Sequence, residues 1–578
     1  MKAFKSEGFK KTIIAISFNL VLAAIIISVF GIYYSSNDDD YIVAKFVSGG
    51  SPGLVFLNYF LMKALVSIGK LIYPINAHVV CHLVLSIMAF TAVTRVFLDK
   101  FKIDTALSIS FLVVCLFAAE HYTSVSFTMV PALLSSAGFL CIIHFIKGRH
   151  PFGVCFGMLF VLLGSLYRFN SFIPSAVFAG AFVFITSLYD SSKSFKAADF
   201  FKRLFEPKRA VALFTTLVLC CSFYVASNTV YAVNPELKYY KEYNTARSLV
   251  WDYDIPRFEE LEKDYRALGV DKNDLDMLAD GFIDDEGAFS LDTLKQMRLN
   301  ADKYYSAHSN AAQIMKKSIS ADLQNFTTLS DKSVIVIEAA VIFIIYIVLN
   351  KKQKVILPLT FAGLAAAFYV YLWYYRRFPF RAEYVIWTSP IFFLLYSLDY
   401  KDVRARFKNV IKNKKRIVVS LSLITATACM LLTYSQLAVL DIKDMADTRY
   451  KLSEYISEHP ENKYELDLTI DLFENNFKEK SIFTNKRIES EQDFLLISCS
   501  YFSNPYYKQC CKKIIGSENL YSSLLKDDVY FVHREIKGKA EPAERIRQYL
   551  EKHYAGEKNV KYRIVKKIDT VKIYKFYT

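Results

Sequence analysis

Long, nearly unbroken apolar runs recur along the chain from Thr12 to Leu440. A run of about 20 apolar residues crosses the ~30 Å hydrocarbon core of a membrane as one helix. The pattern therefore predicts a mainly α-helical, polytopic membrane bundle of about eleven spans, at 12–34, 76–97, 104–119, 124–146, 152–167, 171–188, 210–231, 333–350, 355–375, 383–399 and 417–440.

The connection between the first two spans, residues 35–75, carries a second pattern. From Pro52 to Pro74, polar residues recur at helical spacing among Leu, Phe and Ile, and they are Asn58, Lys63, Ser67 and Lys70. An amphipathic helix of this kind prefers to lie in the plane of the membrane. The alternative is a further spanning helix, which would invert the topology of everything downstream.

Two polar regions interrupt or follow the apolar runs. Residues 232–332 contain helical patterns such as "PRFEELEKDYRAL" and predict a helical loop domain. Residues 441–578 alternate helical stretches with the β-rich runs "FLLISC", "DVYFVHRE", "KYRIVKKI" and "VKIYKFYT". This alternation predicts a small α/β domain whose last two strands are antiparallel. The domains are thus 1–231 (membrane, with the first outer loop 35–75), 232–332, 333–440 (membrane) and 441–578.

Composition agrees with a membrane protein, since 53% of the 578 residues are hydrophobic. The net charge of +15 is compatible with nucleic acid or with basic cytoplasmic loops. The positions of the Lys and Arg residues favour basic cytoplasmic loops, because these residues concentrate in alternate short connections. The N-terminus is then cytoplasmic, the C-terminus is extracytoplasmic, and 35–75, 232–332 and 441–578 all lie outside a bacterial plasma membrane. No nucleic-acid partner is expected.

The first outer loop opens with three consecutive carboxylates, Asp38, Asp39 and Asp40, directly after the first span. Ionised Asp is costly in hydrocarbon, by ~2.5–3.5 kcal/mol at mid-membrane. Carboxylates this close to the membrane therefore indicate either a hydrated helix end or a catalytic or ion-binding role.

Other outer connections carry candidate site residues. "AAEHYTS" places Glu120 and His121 in one turn, and "YRFNSFIP" places Arg168 in another. "RRFPFRAEY" places Arg376, Arg377 and Arg381 outside, against the positive-inside tendency. The planar guanidinium fork suits a phosphate group. The alternatives are ordinary interfacial polarity for Glu120 and His121, and arginines that reach toward lipid headgroups.

A first span, an acidic outer loop, an in-plane helix, many further spans and a C-terminal extracytoplasmic domain together resemble the C-type membrane glycosyltransferases, which use polyprenyl-phosphate-linked sugars. More narrowly, "NDDDYIVAKFVSGGSPG", "FLNYFLM", "NTARSLVWDYD" and "RRFPFRAEY" resemble bacterial membrane proteins with an "NDD…SG" first outer loop, found among cell-surface polysaccharide genes.

The resemblance implies transfer of a sugar from a polyprenyl-phosphate donor to a cell-surface glycan acceptor, in contact with membrane lipid. An acid of the first outer loop, which acts as general base or helps to hold a metal, maps onto Asp38, Asp39 or Asp40. A phosphate-gripping residue maps onto Arg376, Arg377 or Arg381, and Glu120 is the candidate for a second acid. Arg168 and His121 complete the expected substrate site, and a divalent cation is left open as cofactor.

Three other functions stay open at this point. A lipid-linked-glycan flippase or transporter would carry charges in the middle of its spans. A polysaccharide polymerase would share the outer charges. A membrane acyltransferase usually needs a histidine in the membrane, and the candidates are His78, His82 and His144.

Overall fold

The computed structural model describes residues 7–34, 40–148, 150–191, 206–253, 255–282, 285–308, 311–327, 331–349, 355–375, 379–398, 442–467, 482–485, 494–497, 501–535, 541–556 and 558–578. These residues are mainly helical. Their strands form one two-stranded ribbon and one five-stranded sheet in the C-terminal region. The predicted helical class and the small C-terminal sheet domain are confirmed.

Six helices in the described ranges are long and apolar enough to cross a membrane, namely Glu7–Phe30, Ala77–Lys100, Val130–Gly148, Phe169–Leu188, Pro207–Val233 and Ile356–Tyr374. Shorter apolar helices occupy Ile103–Ala118, Pro151–Tyr167 and Ile335–Ile347. The helix Phe380–Ser397 coincides with the predicted span 383–399. The predicted span 417–440 lies outside the described residues, so the total of eleven spans stays a prediction.

The helices run between two ends of the bundle, which we name after Asp99 and Asp40. At the Asp99 end, Asp99 pairs with Arg95, with Lys11 at 3.4 Å and with His144 at 3.5 Å. At the Asp40 end, Asp40 contacts His78, near the start of the helix that also carries Asp99. At 1.5 Å per residue this helix rises ~32 Å from His78 to Asp99, which is about the thickness of a bilayer core.

Contacts place other segments at one end or the other. Tyr384 touches His121 at the Asp40 end, whereas Lys100 donates to the carbonyl of Tyr396 at the Asp99 end, so the helix Phe380–Ser397 joins the two ends. The helix Val130–Gly148 begins after the turn that holds Asp40 and carries His144 near its other terminus.

The first outer loop folds into two helices, Asp40–Ser48 and Tyr59–Leu71. The second is capped by Asn58, whose side chain accepts from the Phe60 N–H at 3.0 Å. It buries Leu61, Met62, Leu65 and Val66 and exposes Lys63, Ser67 and Lys70, as its amphipathic pattern predicts. Thirteen residues rise only ~20 Å, so this helix is too short to be the further span considered above.

The central polar region is helical, in agreement with its pattern. Its elements are Pro235–Trp251, a 3₁₀ turn Phe258–Glu260, Glu262–Ala267, Lys272–Ala279, Leu291–His308 and Ala311–Thr327. The last of these returns to the bundle, where the Trp373 indole donates to Asp322 at 3.2 Å.

The C-terminal sheet has the strand order β4-β3-β5-β7-β6. The strands are β3 (Lys463–Leu466), β4 (Phe494–Leu496), β5 (Val529–Arg534), β6 (Lys561–Ile568) and β7 (Val571–Tyr577); β1 and β2 form the ribbon described below. β3 is parallel to β4 and β5, whereas β7 is antiparallel to β5 and β6. The surrounding helices are Ile442–Glu458, Pro505–Ile514, Leu520–Ser523 and Ala543–His553. The predicted antiparallel final pair is confirmed, and β3 was not predicted.

Polar contacts join this domain to the central helices. Asp285 is buried and accepts from the hydroxyls of Tyr549, at 2.7 Å, and Tyr554. Asp274 is buried beside Lys552 at 2.6 Å and His553 at 2.9 Å. The two regions therefore pack against each other through charged and hydroxyl groups as well as apolar ones.

Candidate functional site

Asp40 is the member of the predicted carboxylate cluster that the structure describes. It is the first residue of the helix Asp40–Ser48 and is fully buried. Its Oδ1 lies 2.6 Å from Nε2 of His78, and the Phe127 N–H donates to both carboxylate oxygens at 3.0 and 3.1 Å. Asp40 is therefore not part of a hydrated helix end. Asp38 and Asp39 lie outside the described residues.

The burial of a carboxylate needs such partners. A buried anion is tolerated when hydrogen bonds and a cation or dipole replace its hydration shell. The Phe127 N–H supplies part of this, the His78 ring lies within hydrogen-bond distance, and the start of a helix adds its partial positive charge. The fold therefore supplies the stabilisation that water would give to an exposed carboxylate.

The Phe127 N–H belongs to a turn, residues 126–129, that connects a short ribbon to the helix Val130–Gly148. In the ribbon, β1 (Tyr33–Tyr34) pairs in parallel with β2 (Ser124–Val125). The Ser126 hydroxyl accepts from the Met129 N–H at 3.2 Å and closes the turn. The end of the first membrane helix is thereby fixed to the same turn that holds Asp40.

Arg168 reaches this turn from the end of another helix. Its Nη1 donates to the Thr128 hydroxyl at 2.6 Å, and its guanidinium lies over the Phe127 ring, 5.3 Å from the centroid. The Phe127 ring also stacks on Phe56, with centroids 6.0 Å apart. Two consecutive residues, Phe127 and Thr128, therefore hold the carboxylate of Asp40 and the cation of Arg168.

Glycine packing brings these two parts of the chain together. Arg168 follows the helix Pro151–Tyr167, which packs against Val130–Gly148 with almost no space between the backbones. A Cβ on Gly138 would lie 2.6 Å from the Gly157 carbonyl oxygen, and one on Gly164 would lie 2.8 Å from that of Pro131. Small residues at such positions allow the close approach of membrane helices.

Glu120 and His121 lie in a π-helical turn, Ala119–Thr123, at the end of the helix Ile103–Ala118. Both are buried. The ring of His121 stacks with that of His82 at 6.5 Å between centroids and meets Tyr384 edge-on at 6.1 Å. Glu120 and Glu338 both act electrostatically on the Tyr384 hydroxyl. The predicted acid–imidazole pair is thus connected through His82 to the helix that carries His78.

The predicted arginine cluster is described only in part. Arg381 is half-buried in the first turn of the helix Phe380–Ser397, one turn before Tyr384, and so lies at the Asp40 end. Arg376 and Arg377 lie outside the described residues. Among the described residues, Arg168 is the predicted arginine that contacts the same turn as Asp40.

His78 and His82 were considered only for an acyltransferase, and their contact with the predicted site was missed. Their spacing in "HVVCH" places both on one face of a helix. Asn76 caps that helix, since its side chain accepts from the Val79 N–H at 3.4 Å. It also donates to the Tyr34 hydroxyl at 2.7 Å and to the Ile482 carbonyl at 3.1 Å. The C-terminal domain therefore contacts the site two residues before His78.

The resemblance leaves open whether the first outer loop holds a metal ion. Among the residues that the structure describes, no group of three or more His, Cys, Asp or Glu side chains is arranged to hold one. Asp40 is instead engaged by an imidazole and a backbone amide. The described donor set does not fit a metal, and the chemistry below uses none.

No protein-family model matches the chain, and comparison with curated proteins and with solved structures likewise finds no match. The functional argument therefore rests on the residues of the site. A buried Asp–His pair can move a proton, and an arginine held nearby can stabilise an anionic group. Both lie at one end of helices that are long and apolar enough to cross a membrane.

Proposed function

We propose that the protein transfers a sugar from a polyprenyl-phosphate-linked donor to a cell-surface glycan or a related acceptor, at the Asp40 end of the bundle. One observation carries this proposal. Phe127 and Thr128 hold Asp40 and Arg168, so a proton-accepting group and a phosphate-binding group stand beside the same turn. Glycosyl transfer from a lipid phosphate needs these two groups together.

The two groups have separate tasks in this reaction. The Asp40–His78 pair removes the proton of the acceptor hydroxyl as its oxygen attacks the anomeric carbon. Arg168 binds the phosphate that leaves, because its fork donates two hydrogen bonds and keeps its charge. Both groups face charge that develops in the transition state. Preorganised polar groups accelerate a reaction most when they stabilise such charge.

A lipid-exposed helix beside Arg168 supports a lipid donor. Phe169, the next residue, stacks on Tyr224 of the helix Pro207–Val233 at 4.3 Å between centroids. This helix exposes large apolar side chains, among them Phe214, Val218, Tyr224 and Val225. We propose that the isoprenoid tail lies along this helix while the phosphate reaches Arg168.

The proposed site lies on the outer face of a bacterial plasma membrane, with the N-terminus inside. Basic residues at the Asp99 end, Lys11, Arg95, Lys100 and Lys147, support this orientation through the positive-inside tendency. A lipid donor also supplies an activated sugar outside the cell, where nucleotide sugars are absent.

The direct test is transfer by the purified full-length protein in proteoliposomes. Radiolabelled sugars linked to polyprenyl phosphate would be supplied with cell-envelope glycan from a strain that lacks the protein. We expect label in the glycan with the wild type and not with Asp40→Asn. If the wild type transfers none of a panel of lipid-linked sugars, the proposal is wrong.

Acyl transfer to a glycan is a second candidate, because the buried Asp40–His78 pair is also suited to activating a hydroxyl toward an acyl donor. Arg168 favours the phosphate-linked donor instead. Acyl donors in the same proteoliposome assay separate the two functions. Movement of a fluorescent lipid-linked glycan across the membrane without any transfer would identify a flippase.

A further inference from the structure

His78 contacts Asp40 through Nε2, and its other ring nitrogen, Nδ1, makes no hydrogen bond with the described residues. We infer that Nδ1 of His78 is the atom that accepts the proton from the acceptor, and that Asp40 orients the ring and stabilises the charge that develops on it. This inference rests on the proposed glycosyl transfer and names a further catalytic residue for it.

The first step of the argument concerns the carboxylate. Asp40 accepts from the Phe127 N–H on both oxygens, and its Oδ1 is 2.6 Å from Nε2 of His78. The Phe127 N–H stabilises the ionised carboxylate, and so does the helix that begins at Asp40. A carboxylate held in this way keeps its charge and is a poor final acceptor for a proton.

The second step concerns the imidazole. An ionised carboxylate at Oδ1 requires a proton on Nε2, so the neutral ring carries its lone pair on Nδ1. Nδ1 is buried and makes no hydrogen bond with the residues that the structure describes. The bare Nδ1 is therefore the basic atom of the pair.

The third step is the reaction itself. The acceptor oxygen forms a bond with the anomeric carbon while its proton passes to Nδ1. The bond between the anomeric carbon and the phosphate oxygen breaks, and its electron pair stays on the phosphate, beside Arg168. His78 is then a cation 2.6 Å from the Asp40 anion, which offsets the cost of a buried charge. The proton leaves with the phosphate or with water, and the pair is restored.

Besides Asp40, the described residues place other titratable groups near this ring. His82 lies one turn further along the same helix, and the Tyr167 hydroxyl interacts electrostatically with Asp40 from the helix Pro151–Tyr167. Arg168 lies beyond Phe127 on the same turn. His144 provides the control, since it also pairs with an aspartate, Asp99 at 3.5 Å, but lies at the opposite end of the bundle.

The test compares His78→Gln with His144→Gln in full-length protein in proteoliposomes. Gln places an amide N–H near the position of Nε2, so it can keep the hydrogen bond to Asp40 but offers no basic nitrogen. We expect kcat of His78→Gln to fall by ~10²–10⁴, with KM for the lipid donor within threefold of wild type. We expect kcat of His144→Gln to stay within tenfold of wild type. The fall of kcat at acid pH should disappear only in His78→Gln.

A second measurement needs no substrate. In protein labelled with ¹⁵N-histidine, the difference spectrum between wild type and His78→Gln at neutral pH isolates the His78 ring. We expect a protonated Nε2 and an unprotonated Nδ1. A protonated Nδ1, or a doubly protonated ring, overturns the inference even if sugar transfer is observed.

The two proposals fail in distinguishable ways. If the wild type transfers sugar and His78→Gln keeps more than a third of its kcat, His78 is not the proton acceptor and glycosyl transfer stands. If the wild type transfers no sugar, the proposed function is wrong, and the ¹⁵N spectrum still decides whether Nδ1 carries the lone pair.

Discussion

Gly157 lies so close to Gly138 that the Cβ of an alanine at position 157 would be 2.7 Å from the Gly138 carbonyl oxygen. This contact sets the distance between two membrane helices, one of which begins after Thr128 while the other ends before Arg168. The contact at mid-helix therefore controls the geometry at the Asp40 end.

Gly157→Ala should destabilise the protein, because the methyl group meets backbone rather than a side chain that can move. Overpacking of this kind costs ~1–3 kcal/mol, and we expect a lower Tm for the detergent-solubilised protein. Gly180→Ala is the matched control, since its Cβ would have no atom within 4 Å. Alanine is the better helix former, so Tm of that variant should be unchanged or higher. Equal Tm values for both variants would contradict the close contact.

Asp40→Asn should remove most transfer activity, by ~10²–10⁴ in rate. Asn is nearly isosteric, but it cannot hold the charge that orients His78. Abundance in the membrane should fall little, because the amide oxygen can still accept from the Phe127 N–H. Asp104→Asn, an exposed acid at the Asp99 end, should behave like wild type in the same transfer assay. Normal activity of Asp40→Asn would remove the basis of the proposed site.

Arg168→Lys should raise KM for the lipid-phosphate donor more than it raises KM for the acceptor. A point charge replaces the fork that also bonds the Thr128 hydroxyl. We expect a tenfold or larger effect, on the order of 1.4 kcal/mol, from initial rates at varied donor concentration. The exposed Arg266→Lys is the control. An unchanged donor KM would indicate that Arg168 supports the turn without binding donor.

Acid should loosen the contact between the central helices and the C-terminal domain at Asp274. Burial would raise the pKa of Asp274, but hydrogen bonds from His553 and Lys552 outweigh it and lower the pKa from its ordinary 3.8. A lowered acid pKa stabilises the folded contact above the unfolded pKa, and this stabilisation is lost as pH falls through the folded pKa.

Hydrogen exchange measures this loss. The helices Lys272–Ala279 and Ala543–His553 should exchange faster as the pH falls below about 4, after correction for the intrinsic rate. Asp274→Asn should show the faster exchange already at neutral pH and little further change. If wild type and variant respond to acid alike, Asp274 does not control the contact.

Sidedness can be read from cysteines placed at the two ends of the bundle. Lys561→Cys lies on the exposed strand β6 of the C-terminal domain, and Lys147→Cys lies at the Asp99 end. On intact cells an impermeant thiol reagent should label position 561 and not 147, as measured on the corresponding peptides by mass spectrometry. Labelling at 147 alone would invert the orientation and exclude an outer site.

The sequence was most informative where a physical pattern is local. The apolar runs located the apolar helices of the described residues, with a clear error at 124–146, where the helix begins only at Val130. The spacing of Lys63, Ser67 and Lys70 gave the exposed face of Tyr59–Leu71. It failed for β3, because Glu465 is a charged residue in an interior strand. Its burial depends on a distant partner, the Ser523 hydroxyl, which no local pattern records.

In the candidate site, too, local patterns could be predicted and distant contacts could not. The cluster Asp38–Asp40 could be selected from its position after a span, but not Asp40 within it. The partners of Asp40 lie on two other segments of the chain, at His78 and Phe127. The glycine contact that brings Arg168 to the same turn is likewise a property of packing. The residue types could therefore be predicted, and their convergence could not.

The central claim is that Arg168 and the Asp40–His78 pair act on one lipid-linked sugar. The most direct measurement is a cryo-electron microscopy structure of the full-length protein with a phosphonate analogue of a polyprenyl-phosphate sugar that it transfers. We predict phosphonate oxygens within hydrogen-bonding distance of Arg168, and an anomeric carbon that faces His78. An analogue bound at the Asp99 end, or elsewhere with Arg168 untouched, would contradict the account.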